Sequence, residues 1–266
     1  VGDRIPTLSQ ESLIGHYKHC PLGVIHASTP LSGNHMKRIL LAIISALVLA
    51  PSLLAQNAPV VVELYTSQGC SSCPPADAML HELAEREDVI ALALHVDYWD
   101  YIGWKDAFSN PAHTKRQRAY AAVAGRRSVY TPQMIINGTT DIVGARADEV
   151  DAAIRAHRAA PPRVAMTLTR NGNTLAIGAK VTDTSPGPMI VQMLRYQPIR
   201  SIKITRGENA GHTYDYANVA QDWQLLGRWD GSRPLAIEAN IRGNEPTVVL
   251  IQGAQIGPIF AAARVD

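Results

Sequence analysis

Residues 60–83, VVVELYTSQGCSSCPPADAMLHEL, combine a short apolar run, a Cys-x-x-Cys pair and a segment with helical periodicity. The first six residues are mostly β-branched or apolar, which predicts a buried strand. Pro74 and Pro75 follow the second cysteine, in the first turn of a helix, where missing N–H groups are tolerated. Apolar residues then recur at helical spacing as far as Leu83. The stretch predicts a strand, a tight loop that holds both cysteines, and a helix.

A Cys-x-x-Cys pair at the start of a helix suits thiol chemistry. The first cysteine lies at the positive end of the helix dipole, near unpaired backbone N–H groups, and both lower the pKa of a thiol. The second cysteine can attack a mixed disulfide and release the substrate. We therefore predict that Cys70 is the nucleophile of a thiol–disulfide exchange and that Cys73 is its resolving thiol.

The N-terminal residues have the pattern of an export signal. Residues 36–55 begin with Met-Lys-Arg, continue with an apolar core that is short for a membrane span, and end in Ala55, a small residue suited to cleavage. We expect a periplasmic or secreted protein with no stable membrane anchor after cleavage, and an uncleaved anchor helix is the alternative. Residues 1–35 show no clear pattern, and we interpret them as a mis-called upstream extension before Met36.

Composition and cysteine count narrow the function further. Residues 56–266 carry equal numbers of acidic and basic side chains, so their charge does not indicate nucleic-acid binding. Cys20 precedes this part of the chain, which leaves only Cys70 and Cys73 in it. Closing so small a loop gains little chain entropy. The pair is therefore better explained by chemistry than by stability, and the sequence indicates no cofactor.

A second strand is predicted over residues 89–96, VIALALHV. A strand–helix–strand order favours a parallel pair, whose carboxyl ends lie at the same edge of the sheet. We therefore expect residues 97–100 beside the Cys70 loop. Asp97 is a candidate for moving protons during exchange, and His95 is a second candidate. A helix cap and a core histidine are the alternatives for these two residues.

Two features of the next residues would suit a polypeptide partner. The aromatic rings of residues 98–104 form either an apolar rim for a substrate or part of the core. A helix is predicted over residues 111–125. Basic side chains in and after this helix form a patch that is either a solvated face or a binding surface. The patch consists of Lys115, Arg116, Arg118, Arg126 and Arg127. A strand then follows Pro132, a hairpin turn is predicted at Asn137-Gly138, and residues 147–159 predict a helix.

This order of elements resembles the thioredoxin fold. The resemblance implies an α/β thioredoxin-like domain over residues 56–160. It also implies that Pro132 has a cis peptide bond and packs against the cysteine pair, while Thr131 offers backbone groups to an extended substrate. The substrates would be protein thiols or disulfides, served by a separate redox partner. More narrowly, ELYTSQGCSSCPPAD, ALHVDYWDYIGWKD, RQRAY, VYTPQMIING and RGENAGHTYDYANV resemble the exported bacterial family "domain of unknown function 1223".

The pattern changes after Pro161-Pro162. About eight short alternating runs with frequent turns predict an all-β, antiparallel sandwich domain over residues 161–266. Its most polar loop, residues 206–212 (RGENAGH), either covers the cysteine loop or forms a surface connection.

Three functions are consistent with the sequence. A thiol–disulfide oxidoreductase that uses Cys70 and Cys73 is the leading hypothesis. A copper carrier is the second, because two thiolates suit Cu(I) and His95 is a candidate third ligand. The third is a non-catalytic binding module in which the cysteine pair is only a structural disulfide.

Overall fold

The computed structural model of the protein describes residues 58–266. The predicted upstream extension (1–35) and signal peptide (36–55) lie outside the described residues. The helices are α1 (Pro74–Ala84), α2 (Pro111–Val123) and α3 (Ala147–Ala159). The strands are β1 (Val60–Thr66), β2 (Val89–His95), β3 (Gln133–Ile136), β4 (Thr140–Val143), β5 (Val164–Asn171), β6 (Thr174–Val181), β7 (Met189–Lys203), β8 (Thr213–Trp229), β9 (Leu235–Asn240), β10 (Thr247–Gly253) and β11 (Ile259–Val265). Over residues 58–266, every helix falls short of the length and apolarity needed to cross a membrane.

Most strands belong to one mixed sheet of eight, in the order β11-β10-β7-β8-β2-β1-β3-β4. Strand β2 runs parallel to β1 and to β8, and the other neighbours are antiparallel. Strands β5, β6 and β9 form a second, antiparallel sheet. The parallel β1–β2 pair agrees with the expectation from their order, and it places the ends of both strands at one edge.

The predicted fold class, an α/β thioredoxin-like domain followed by an all-β sandwich-like domain, is wrong. The described chain is mostly β, and strands from both sides of residue 160 share one sheet. Strand β8 makes the connection, because it pairs with β7 along most of its length and with β2 where Val219 lies opposite Ala93. One face of this sheet carries a continuous buried cluster that includes Leu94 of β2, Leu194 of β7 and Val248 of β10.

The fold prediction failed because it divided β7 into two short strands and recognised only the last part of β8. The sequence predicted one strand over residues 189–196 and another from residue 201, whereas β7 continues unbroken through Pro198. That proline lies beyond the last residue paired with β10, Arg195, so the missing N–H interrupts no bond on that side. Strand β8 begins at Thr213, within a stretch too polar to be recognised as a strand.

The opposite face of the large sheet is covered in two parts. Helices α1 and α3 pack their apolar side chains, such as Leu80 and Ile154, against Val62 and Leu64 of β1. The three-stranded sheet covers the other end, where Leu175 and Ile177 belong to the same cluster as residues of β7 and β10. A sandwich of two sheets is therefore present in part, with the large sheet as its shared layer.

A buried ion pair connects the two halves of the sheet. Arg116 of α2 donates from Nε to Glu63 Oε1 over 2.6 Å, and the exposed fractions of the two side chains are 8% and 0%. Tyr120 donates to the other carboxylate oxygen of Glu63 over 2.6 Å. Gln252 of β10 completes the network, because it accepts from Arg116 and donates to the Tyr120 hydroxyl. Burial alone would lower the pKa of Arg116, but the adjacent Glu63 carboxylate outweighs it and raises that pKa above its ordinary value.

We predict that Arg116→Met destabilises the protein by about 3–5 kcal/mol, because Glu63 is left buried without a counter-charge. Urea denaturation at neutral pH measures the loss. Arg118→Met on the exposed face of the same helix is the matched control, with an expected change below about 0.5 kcal/mol. Equal effects of the two substitutions would contradict a structural role for the ion pair.

Candidate disulfide site

A disulfide joins Cys70 and Cys73 at the start of α1. Their Cα atoms lie 5.4 Å apart, and Cys73 is the N-cap residue of the helix. Cys70 is 3% exposed and Cys73 is fully buried, whereas Ser71 and Ser72 between them are exposed. Cys70 is thus the more accessible of the two cysteines, and its role as the nucleophile stays a prediction.

Few polar groups lie near Cys70. Pro74 and Pro75 occupy the first two helical positions and supply no N–H groups. The N–H groups of Ala76 and Asp77 both bond to the Cys73 carbonyl. The Ser72 hydroxyl lies 3.4 Å from Cys70 Sγ, close enough to donate to a thiolate. The helix dipole and this hydroxyl, rather than free N–H groups, are left to stabilise a Cys70 thiolate.

A buried carboxyl follows one helical turn after Cys73. Asp77 is 7% exposed, and its Oδ1 has no hydrogen-bond partner among the described residues. Burial raises the pKa of Asp77 to about 7, a shift that nearby His95 partly opposes. Side chains four residues apart share a helix face, so Asp77 lies on the same side of α1 as Cys73. A carboxyl with this pKa can exchange a proton near neutral pH.

His95 and Asp106 form a second buried polar group at the same edge. His95 Nδ1 donates to Asp106 Oδ2 over 2.7 Å, and neither side chain is exposed. The same Oδ2 atom accepts from the Gln68 N–H over 2.8 Å, two residues before Cys70. Burial alone would raise the pKa of Asp106, but His95 and the backbone N–H donors hold it below its ordinary value. An ionised Asp106 therefore anchors the strand end that leads into the cysteine loop.

The polar loop 206–212 covers the cysteine loop, the first of the two alternatives that the sequence left open. Asn209 is buried and donates from Nδ2 to the carbonyls of Gln68 and Cys70 over 2.9 and 3.0 Å. Gly207 (φ 79°) lies against Trp104, and a Cβ atom there would stand 3.1 Å from the Trp104 Cβ. The loop therefore fixes the backbone on which Cys70 is carried.

Thr131 and Pro132 lie close to the cysteine loop. The peptide bond between them is cis, as the resemblance implied. Gln133 pairs with Tyr65 near the end of β1, which places Pro132 at the edge where the cysteine loop begins. Trp99 connects the two segments, because it donates to Thr131 Oγ1 over 2.7 Å and packs against Gly69.

Asp97 is held by helix α2. Its Oδ1 accepts from the Thr114 hydroxyl over 2.5 Å, and its N–H donates to Thr114 Oγ1 over 3.2 Å. This contact resembles the cap-like role that was the alternative for this residue. The roles proposed for Thr131, Pro132 and Asp97 in exchange stay predictions.

Sequence reasoning missed three residues of this site. Asp77 carried a signal that was overlooked, since it lies four residues after Cys73 on a predicted helix. Asp106 and Asn209 carried none, because their contacts with the cysteine loop join residues far apart in the chain. Within residues 58–266, no group of three or more His, Cys, Asp or Glu side chains is arranged to hold a metal ion.

Comparison with known proteins assigns the chain to a family. The family model "Protein of unknown function (DUF1223)" matches residues 61–252, so the chain belongs to this family. A crystal structure of a protein from Agrobacterium tumefaciens is 31% identical, with a TM-score of 0.67, over 79% of this chain and 96% of that chain. HBP35 of Porphyromonas gingivalis is 17% identical over 79% and 75%, with a TM-score of 0.54, so its likeness is one of fold alone. No curated protein matches the chain.

We predict that Asp77 makes stability fall as the pH rises from about 4 to 7. In the unfolded chain Asp77 has its ordinary pKa of 3.8, and in the folded chain its pKa is about 7. Between these two values the folded state binds up to one proton more than the unfolded state. The slope is about 1.4 kcal/mol per pH unit, and the total is at most about 4 kcal/mol.

The Asp77→Asn variant removes the titrating group and is expected to show a flatter dependence over the same range. Urea denaturation of the oxidised protein at several pH values measures both curves. Glu82→Gln on the exposed face of α1 is the control, and it should keep the slope of the unmodified protein. Parallel curves for the protein and the Asp77 variant would rule out the raised pKa.

Proposed function

We propose that this protein is an exported thiol–disulfide oxidoreductase that acts on polypeptide thiols or disulfides through Cys70 and Cys73. The observation that carries the proposal is the Cys70–Cys73 disulfide at the start of α1, together with a buried carboxyl one helical turn after Cys73. This carboxyl belongs to Asp77, and its pKa is raised to about 7. The signal-like pattern of residues 36–55 supports export, and an oxidising compartment would maintain the disulfide.

The exchange reaction balances with no cofactor. A substrate thiolate attacks Cys70 Sγ, the Cys70–Cys73 bond breaks, and Cys73 leaves as a thiolate that takes up a proton. A second substrate thiolate then attacks the substrate sulfur of the mixed disulfide and releases Cys70. The substrate loses two electrons and becomes a disulfide, and the protein gains them as a dithiol. The reverse sequence reduces a substrate disulfide.

Asp77 is suited to manage the proton on Cys73. The Cys73 thiol is fully buried, so bulk water does not reach it directly. A neutral Asp77 can give a proton to the departing thiolate, and an ionised Asp77 can take it back when Cys73 resolves a mixed disulfide. A pKa near 7 keeps both forms of the carboxyl populated at neutral pH.

The two alternatives receive less support from the described residues. A structural disulfide over this short separation gives little chain-entropy stabilisation. For copper, no set of three or more His, Cys, Asp or Glu side chains within residues 58–266 is arranged to hold a metal ion, so a third ligand beside the two cysteines is missing there.

We predict that Cys73→Ser traps partners on Cys70, because the thiolate that would resolve the mixed disulfide is absent. The variant is expressed in the cells that naturally make this protein. Trapped species are then separated on non-reducing gels and identified by mass spectrometry. Cys20→Ser is included in every variant, so that only the pair under test can react.

The matched control is Cys70→Ser, which leaves the buried Cys73 and is expected to trap far less. Adducts that disappear with reductant and depend on Cys70 would support exchange. Absence of adducts under both oxidising and reducing growth conditions would contradict the proposed function.

A further inference from the structure

A groove runs along α2 close to the cysteine loop. Two adjoining cavities of about 330 and 560 Å³ share Tyr98 and Arg118, and together they form what we call the α2 groove. One wall is a single face of the helix, from Pro111 to Ala122. At about 1.5 Å per helical residue this face is about 16 Å long, enough for about five residues of extended chain.

The charge that the α2 groove presents is positive. Lys115, Arg118 and Arg127 are exposed, and they form no ion pair within residues 58–266. Arg126 is paired with Asp141, so it contributes less. The carboxylate of the groove, Asp97, already accepts the Thr114 hydroxyl. Arg116 of the predicted basic patch is buried with Glu63 and belongs to the core instead.

Tyr98 lies between the two parts of the groove, because it lines both cavities. Its hydroxyl is buried, near the side chains of Gln117 and Thr131. The exposed part of Tyr98 is therefore its ring, which offers an apolar contact among the cationic side chains of the groove.

The α2 groove is connected to the cysteine loop through Trp99. This residue follows Tyr98 of the groove in the chain, packs against Gly69 and donates to Thr131 Oγ1. The other wall, Ser128 and Val129, continues towards Tyr130, whose carbonyl accepts from Gln117 of α2 over 2.7 Å. A chain lying in the groove would therefore lead towards the disulfide.

We propose that the α2 groove binds an extended acidic segment of the polypeptide whose thiols exchange with Cys70. This inference rests on the proposed function and adds its substrate class. Carboxylates of the segment meet Lys115, Arg118 and Arg127, and its apolar parts pack on the Tyr98 ring. Complementary charge accelerates encounter and orients the segment more than it adds affinity.

The test compares three dithiol peptides of equal length, in which the two cysteines are flanked by glutamates, glutamines or lysines. Each peptide reduces the Cys70–Cys73 disulfide and becomes a disulfide itself, and thiol trapping with mass spectrometry gives the rate. All proteins carry Cys20→Ser. We expect the glutamate peptide to react about tenfold faster than the lysine peptide at about 0.02 M salt, and the advantage to shrink at about 0.5 M.

Two double variants show whether the α2 groove causes the preference. Lys115→Glu with Arg118→Glu is expected to reverse the order of the peptides. Arg155→Glu with Lys180→Glu changes the net charge equally at exposed positions outside the groove, and it is expected to keep the order. Dithiothreitol should reduce all three proteins at similar rates, because it needs no groove.

The outcomes separate the two proposals. Equal rates for the three peptides, or loss of the preference in the Arg155/Lys180 variant, would overturn binding of acidic segments in the α2 groove and leave exchange intact. Reduction by dithiothreitol but by none of the peptides would overturn it as well. Failure of dithiothreitol and of every peptide to reduce the pair would overturn the proposed function itself.

Discussion

The buried ion pair between Glu63 and Arg116 is the constraint on which the rest of the structure depends. A carboxylate in the centre of a sheet is costly unless it is paired and fully hydrogen-bonded. Arg116 and Tyr120 of α2 supply the partners, and Gln252 brings in β10 from the far end of the chain. Helix α2 is thereby fixed against the sheet, and strands β1 and β10, which lie far apart in the sequence, are held together.

The position of the candidate site depends on this arrangement. Helix α2 orients Asp97 and the segment that carries Trp99, while the long strand β8 keeps loop 206–212 over Cys70. The cysteine loop is held by an ionised Asp106 on one side and by Asn209 on the other. A short local motif supplies the two sulfurs, and distant segments determine where those sulfurs lie.

Local elements were within reach of sequence reasoning. Helix α3 occupies the predicted residues 147–159, and the turn at Asn137-Gly138 has the positive φ angles that this dipeptide favours. Alternating apolar residues and turn signals are local properties, so the chain reveals them directly. The parallel β1–β2 pair followed from a general rule about strand order.

The global arrangement could not be predicted in the same way. The pairing of Val219 with Ala93 joins residues far apart in the chain, and no local signal in the polar stretch around Thr213 announces it. The contact of Asn209 with the cysteine loop depends on that pairing, because loop 206–212 leads directly into β8. Arg116 resembled its exposed neighbours in sequence, and only the position of Glu63 on a buried strand distinguishes it.

The central claim is that Cys70 and Cys73 form a working redox pair. The most direct measurement is the reduction potential of the full chain with Cys20→Ser, by equilibration with glutathione or dithiothreitol buffers and thiol-trapping mass spectrometry. The account predicts a reversible two-electron potential between about −120 and −270 mV. A value below about −300 mV, typical of a structural disulfide, would contradict it.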